Sequence, residues 1–98
     1  MLIACDKHGP SGCVPVCSHL DRAIREGEAI TDYFVLEYNY EGERLELCVF
    51  CRACATVTGI SKWTVLPLPD EYPSWYPHGG VCLKCFCEAA HENEDIFA

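Results

Sequence analysis

Eight side chains suited to a soft metal fall into four close pairs: Cys5-x-x-His8, Cys17-x-His19, Cys51-x-x-Cys54 and Cys82-x-x-Cys85. Zinc takes about four such donors in a tetrahedron, at ~2.3 Å to sulfur and ~2.0–2.1 Å to nitrogen. A two-residue gap lets one tight turn present both side chains to a single ion while its backbone N–H groups point at the sulfurs. Two such turns from distant parts of the chain complete a site and staple those parts together. The two Cys-x-x-Cys pairs, with 27 residues between Cys54 and Cys82, carry the stronger signal. The Cys17-x-His19 gap is tighter than usual and suits a site at the start of a helix. Its alternative reading is a histidine at a helix N-terminus above a merely buried Cys17.

Eight donors make two sites, so the expectation is two Zn²⁺ per chain. Loop closure is cheapest between sequence neighbours. That favours Cys5/His8 with Cys17/His19, and Cys51/Cys54 with Cys82/Cys85, over a crossed arrangement. Cys13, Cys48 and Cys87 remain. Cys87 could stand in for Cys85, and Cys13 for Cys17. The strand alternation around Cys48 sets it with Arg44 and Glu46, away from the apolar face, as a free thiol. His78 and His91 read as solvated.

Other thiol chemistries fit less well. A disulfide framework needs an oxidising compartment, and nine cysteines behind an N-terminus without signal-peptide features argue against one. A thioredoxin-like pair needs a βαβ setting that neither Cys-x-x-Cys has. Catalytic zinc keeps an open position beside a general base. Neither H-E-x-x-H nor the deaminase pattern of H-x-E followed by P-C-x-x-C is present. The expectation is therefore not an enzyme. Four thiolates at Cys51, Cys54, Cys82 and Cys85 could instead hold iron for electron transfer, as in a rubredoxin-like site, and that is the alternative.

The order of these motifs resembles the zinc-ribbon and treble-clef class of small zinc domains. Cys51-x-x-Cys54 follows a strand, and "GGVCLKC" opens the last helix, as in a treble clef. The opening "CDKHG…VCSHL" is similar to a pattern in small uncharacterised bacterial proteins, over residues 5–20 only. The chain departs from the class in the short Cys-x-His gap and in lacking a glycine right after Cys54. The resemblance implies a small zinc-stabilised α+β domain. Such a fold has an antiparallel hairpin or three-stranded sheet with two short helices.

The elements that must position these donors are partly readable. Residues 1–17 carry Gly9, Pro10, Gly12 and Pro15, a punctuation that predicts turns rather than a long element. "SHLDRAIREG" predicts a helix, with Ser18 as N-cap, Leu20, Ala23 and Ile24 as its apolar stripe and Gly27 closing it. "DYFVLEYNY" and "RLELCVF" alternate as two strands joined by a turn at "EGE". Residues 60–66 form a weaker third strand. "PLPDEYPSWYPHGG" is a proline-stiffened loop, and Val81 to about His91 a short helix ending before an acidic tail.

At 98 residues the chain is expected to be a single zinc-binding domain over 1–98, with only a modest core. Fifteen acidic residues against seven basic give a net charge of −8, with no basic run. That disfavours a nucleic-acid backbone and favours a basic protein partner. The aromatic loop with Tyr72, Trp75 and Tyr76 beside Asp70 and Glu71 is the candidate docking surface, unless Trp75 instead covers the core. No stretch approaches the ~20 apolar residues of a spanning helix, so no membrane association is expected. Reduced thiols point to the cytoplasm.

Overall fold

In the computed structural model, residues 2–77 and 79–97 are described, and His78 lies outside them. The elements run β1 (Leu2–Cys5), β2 (Gly9–Pro15), α1 (Ser18–Arg25), β3 (Phe34–Tyr40), β4 (Glu43–Phe50), α2 (Arg52–Thr58), β5 (Trp63–Pro67), β6 (Gly80–Cys82) and α3 (Leu83–Ala90). A 3₁₀ turn over Glu94–Phe97 follows. The α+β class expected from the sequence is what the chain adopts. It comprises two three-stranded sheets, ordered β1-β2-β6 and β4-β3-β5, with three helices rather than two.

The N-terminal segment is not the string of turns its glycines and prolines suggest. β1 and β2 form an antiparallel hairpin with Cys5 opposite Gly9, which takes a left-handed φ of 72° as the turn closes. β6 pairs only with Cys13–Pro15, so Pro10 sits where β2 has β1 as its one neighbour. A missing N–H is tolerated in such a place. The close approach of β6 to β2 also requires glycine at position 80. A Cβ there would lie 2.5 Å from Cys13 Sγ and 2.9 Å from the Val14 carbonyl oxygen.

The β3–β4 hairpin turns at Glu41 and Gly42, both with positive φ, the type I′ geometry that matches strand twist. Its register corrects the expected faces. Cys48 lies opposite Leu36, while Leu47 and Val49 lie opposite Glu37 and Val35. The two runs read as apolar faces therefore point to opposite sides of the sheet, and its centre is covered on both. Val35, Leu36, Cys48 and Val49 are all fully buried. Cys48 is a core residue, not a thiol turned away from the core, and burial pushes its pKa up to about 12. β5 is shifted from the expected third strand at 60–66 and pairs in parallel with β3.

α1 begins where expected, but its N-cap is Cys17 rather than Ser18. α2 had no sequence expectation. It lacks side-chain capping at Cys51 and ends at Gly59 with φ 77°, and that glycine is the one stop signal its sequence offers. α3 starts two residues later than expected and ends at His91, which is exposed with φ 57°.

The loop between β5 and β6 is anchored by its aromatics. The Tyr76 ring stacks on buried Tyr38 at 5.9 Å, and its hydroxyl donates to Glu46 Oε2 at 2.9 Å. Trp75 meets Phe50 edge-on at 5.8 Å yet stays 39% exposed. Trp75 thus covers part of the core, as one of its two sequence readings expected. Among the described residues no helix is long and apolar enough to cross a membrane.

Candidate metal centres

The four ligand pairs meet as two Cys₃His clusters: Cys5, His8, Cys82 and Cys85 in one, Cys17, His19, Cys51 and Cys54 in the other. The structure brings all eight expected donors together but overturns the expected neighbour pairing. Each cluster crosses the chain. Sheet pairing makes the difference. β6 lies antiparallel to β2 with Cys82 opposite Cys13, which carries the start of α3 to the Cys5–His8 turn. In the second cluster the Cys17 N–H donates to the Val49 carbonyl at 3.0 Å, and a parallel bridge joins Val16 to Val49. The end of β4 is thereby laid beside the start of α1. Loop-closure entropy grows only as the logarithm of length, so crossing costs roughly 2 kcal/mol. A few strand hydrogen bonds and buried valines offset that.

Both Cys-x-x-Cys pairs use the same local geometry. Cys51 and Cys82 are the N-caps of α2 and α3, and Cys54 and Cys85 lie in the following turns. The first N–H groups of a helix have no intrahelical acceptor, so here they face sulfur. Burial pushes the Cys82 thiol up, but the Ser11 hydroxyl and the N–H groups of Cys85 and Lys84 outweigh it and lower its pKa. Cys51 is also lowered on balance. Burial raises it, but N–H groups from Cys54 and Ala53 prevail. In the hairpin, the N–H groups of His8 and Lys7 lower Cys5 to about 6. Burial first, and then the neighbouring sulfurs, push Cys54 and Cys85 up to about 12. Three thiols this close cannot all ionise unless a cation joins them.

The donor spacing fits that cation. A tetrahedral zinc with the bond lengths above has S···S edges of about 3.8 Å and S···N edges of about 3.6 Å. In the first cluster His8 Nδ1 lies 3.5 Å from Cys5 Sγ, 3.6 Å from Cys82 Sγ and 3.4 Å from Cys85 Sγ. Cys5 and Cys85 Sγ are 3.6 Å apart. In the second, His19 Nδ1 lies 3.3 Å from Cys54 Sγ and 3.5 Å from Cys51 Sγ. The chain thus offers two Cys₃His groupings that fit two metal ions.

Cys13 and Cys87 belong to neither cluster. Cys13 Sγ lies over Gly80, and Cys87 is buried with its thiol 3.5 Å from the Asn93 carbonyl. Cys51, Cys54, Cys82 and Cys85 do not share one cluster, so the four-thiolate centre considered from sequence is not assembled.

Sequence reasoning missed the outer partner of the first cluster. His8 Nε2, on the far side of the ring from the sulfurs, lies 2.8 Å from Glu88 Oε2, and Lys7 Nζ donates to Glu88 Oε1 at 2.7 Å. The carboxylate raises the His8 pKa, chiefly through that hydrogen bond, and is itself lowered, first by Lys7 and then by His8. It also holds the proton on Nε2, which leaves the Nδ1 lone pair for a metal. Its place on α3, one turn after Cys85, was the available signal. Glu88→Gln should weaken metal binding at the first centre by about 10–100-fold and leave the second unchanged. Competition with a chromophoric chelator measures both. Equal affinities at the first centre before and after the change would remove Glu88 from this role.

No family model, curated protein or solved structure matches the chain.

Proposed function

We infer that this chain is a structural zinc module with two closed Cys₃His centres that acts through a protein partner rather than by catalysis. The observation that carries the reading is the donor set. Each cluster supplies three sulfurs and one imidazole nitrogen within 4.8 Å of one another, and each joins two segments far apart in sequence. Four protein donors leave no open position for a substrate or water. Mixed sulfur and nitrogen donors suit zinc, whereas electron-transfer iron centres usually take four thiolates. The hairpin turn at Cys5 and His8, joined with Cys82 and Cys85 at the start of α3, is the arrangement that supports a treble-clef-like relationship. All nine cysteines are free thiols, which supports a reducing, cytoplasmic setting. Elemental analysis of protein purified without added metal tests the centres: close to two zinc equivalents and a colourless solution are expected. Iron with visible absorbance would replace this reading with electron transfer.

The partner is expected to be basic. Of the seven cationic side chains, Lys7, Arg25, Arg44, Arg52 and Lys62 already pair with carboxylates. Asp70 and Glu71 lie exposed beside Tyr72 and Trp75. Association with a partner captured from the native host should slow with added salt and with Asp70→Lys plus Glu71→Lys. Trp75→Ala should mainly speed dissociation. An effect of Trp75→Ala on melting alone would confine that residue to the core. Salt-sensitive binding of DNA or RNA at micromolar concentration would overturn the charge argument.

A further inference from the structure

β5 is an outer strand, and among the described residues no strand pairs with its far side. Its parallel pairing fixes which backbone groups are used. The Val35 N–H donates to the Lys62 carbonyl at 3.0 Å, and the Leu68 N–H to the Asn39 carbonyl at 2.8 Å. With Val35 opposite Trp63 and Glu37 opposite Val65, the evenly spaced parallel ladder takes Lys62, Thr64, Leu66 and Leu68 toward β3. Trp63, Val65 and Pro67 therefore turn their backbone groups outward. The free edge shows N–H and C=O of Trp63 and Val65, and C=O of Pro67. No residue from Trp63 to Pro67 is charged, and Trp63, Val65 and Leu66 are 40%, 53% and 42% exposed. Edge strands are ordinarily guarded by charge, by proline, by bulges or by a covering segment, and here Pro67 guards only the end of the strand.

We propose that a second copy of this chain pairs with this edge, antiparallel about a twofold axis through Val65. The β4-β3-β5 sheets of the two copies then join into one of six strands. Two features select this occupant. In that register Val65 and its symmetry mate exchange both backbone hydrogen bonds, and the Trp63 N–H meets the Pro67 carbonyl of the other copy. Pro67 has no N–H to return to the Trp63 carbonyl, so each outer pair makes one bond of two. Side chains also match across the seam. Val65 meets Val65 and Trp63 meets Pro67 on one face, and Leu66 meets Thr64 on the other.

Charge selects the direction. Lys62 and Arg52 share the single carboxylate of Asp32 near the start of β5, while Asp70 and Glu71 follow its end. Antiparallel pairing brings the basic end of one strand toward the acidic end of the other. A parallel mate would set like beside like. A twofold contact of this kind is self-complementary and closed, so it stops at a dimer.

Sedimentation equilibrium of the metal-loaded full chain, with amide exchange by NMR, tests this. The expected result is a dimer that dissociates on dilution. The amides of Trp63 and Val65 should gain protection as concentration rises, while those of Thr64 and Leu66, already bonded to β3, should not respond. Val65→Pro removes an N–H that the β3 ladder does not use. It should weaken dimerisation at least about tenfold with metal content and melting unchanged. The exchange data on the unmodified chain keep the proposal open to refutation if that variant folds poorly. A monomer up to millimolar concentration would overturn it and leave the edge to a foreign strand. A dimer in which Trp63 and Val65 exchange freely would overturn it too.

Discussion

Removing the metal ions should unfold this protein. Structural zinc supplies an apparent ~10–16 kcal/mol in small zinc domains at neutral pH, and an entire domain is ordinarily stable by only ~5–15 kcal/mol. Here each cluster ties together segments that strand pairing already brings close, through β2 with β6 and through Val16 with Val49. One ties the β1–β2 hairpin to α3, and the other ties α1 to the junction of β4 and α2. Without a cation, the burial of Cys54 and Cys85 beside other sulfurs leaves each cluster with ionised and protonated thiols that no longer share a partner. Chelation at neutral pH should therefore abolish near-ultraviolet dichroism and amide dispersion, and returning zinc should restore both. A fully stripped protein that kept its native spectrum would show that the core alone suffices.

Acid should act through the same ligands. The Cys5 thiol is lowered from its ordinary 9.0 to about 6, so the stability its thiolate contributes is complete above 9 and is lost as pH falls through about 6. A bound cation lowers that point further. Cys85, pushed up to about 12, and His8, raised by Glu88, hold their protons more tightly. The first centre should therefore lose its ion progressively as pH falls, and metal content followed through an acid titration measures this.

The second large effect concerns which thiols share an ion. Replacing Cys5 and Cys82 together by serine removes two ligands of one cluster, so one ion should be lost and one retained. Replacing Cys5 and Cys17 together damages both clusters, so both ions should go. Pairing between sequence neighbours predicts the reverse result for each double variant. Metal content settles the stoichiometry. The His19 ring resonances, with cobalt in place of zinc, report whether the surviving ion is the one expected after Cys5→Ser with Cys82→Ser. Loss of both ions in that variant, with loss of one in Cys5→Ser with Cys17→Ser, would refute the crossed clusters.

The donors were legible because ligand chemistry is local. A thiol two residues from another thiol or an imidazole needs only one turn to face the same ion, and turns are set by adjacent residues such as Gly9. Helix α1 and the Glu41–Gly42 hairpin were legible for the same reason, since their signals lie within a few positions. The pairing of the clusters was not. It rests on β6 finding β2, and on Val49 finding Val16, across most of the chain, and the logarithmic cost of closing loops discriminates too weakly to forbid it. The β1–β2 hairpin was hidden because Pro10 and Pro15 are tolerated only where β2 has a single neighbour, and because Gly9 forms the turn itself. Cys48 was misplaced because alternation reveals a face only when one side of a sheet meets water, and the centre of this sheet is buried on both. Residue types thus determined which atoms could hold metal. Long-range strand pairing, which no local pattern encodes, decided which of them meet.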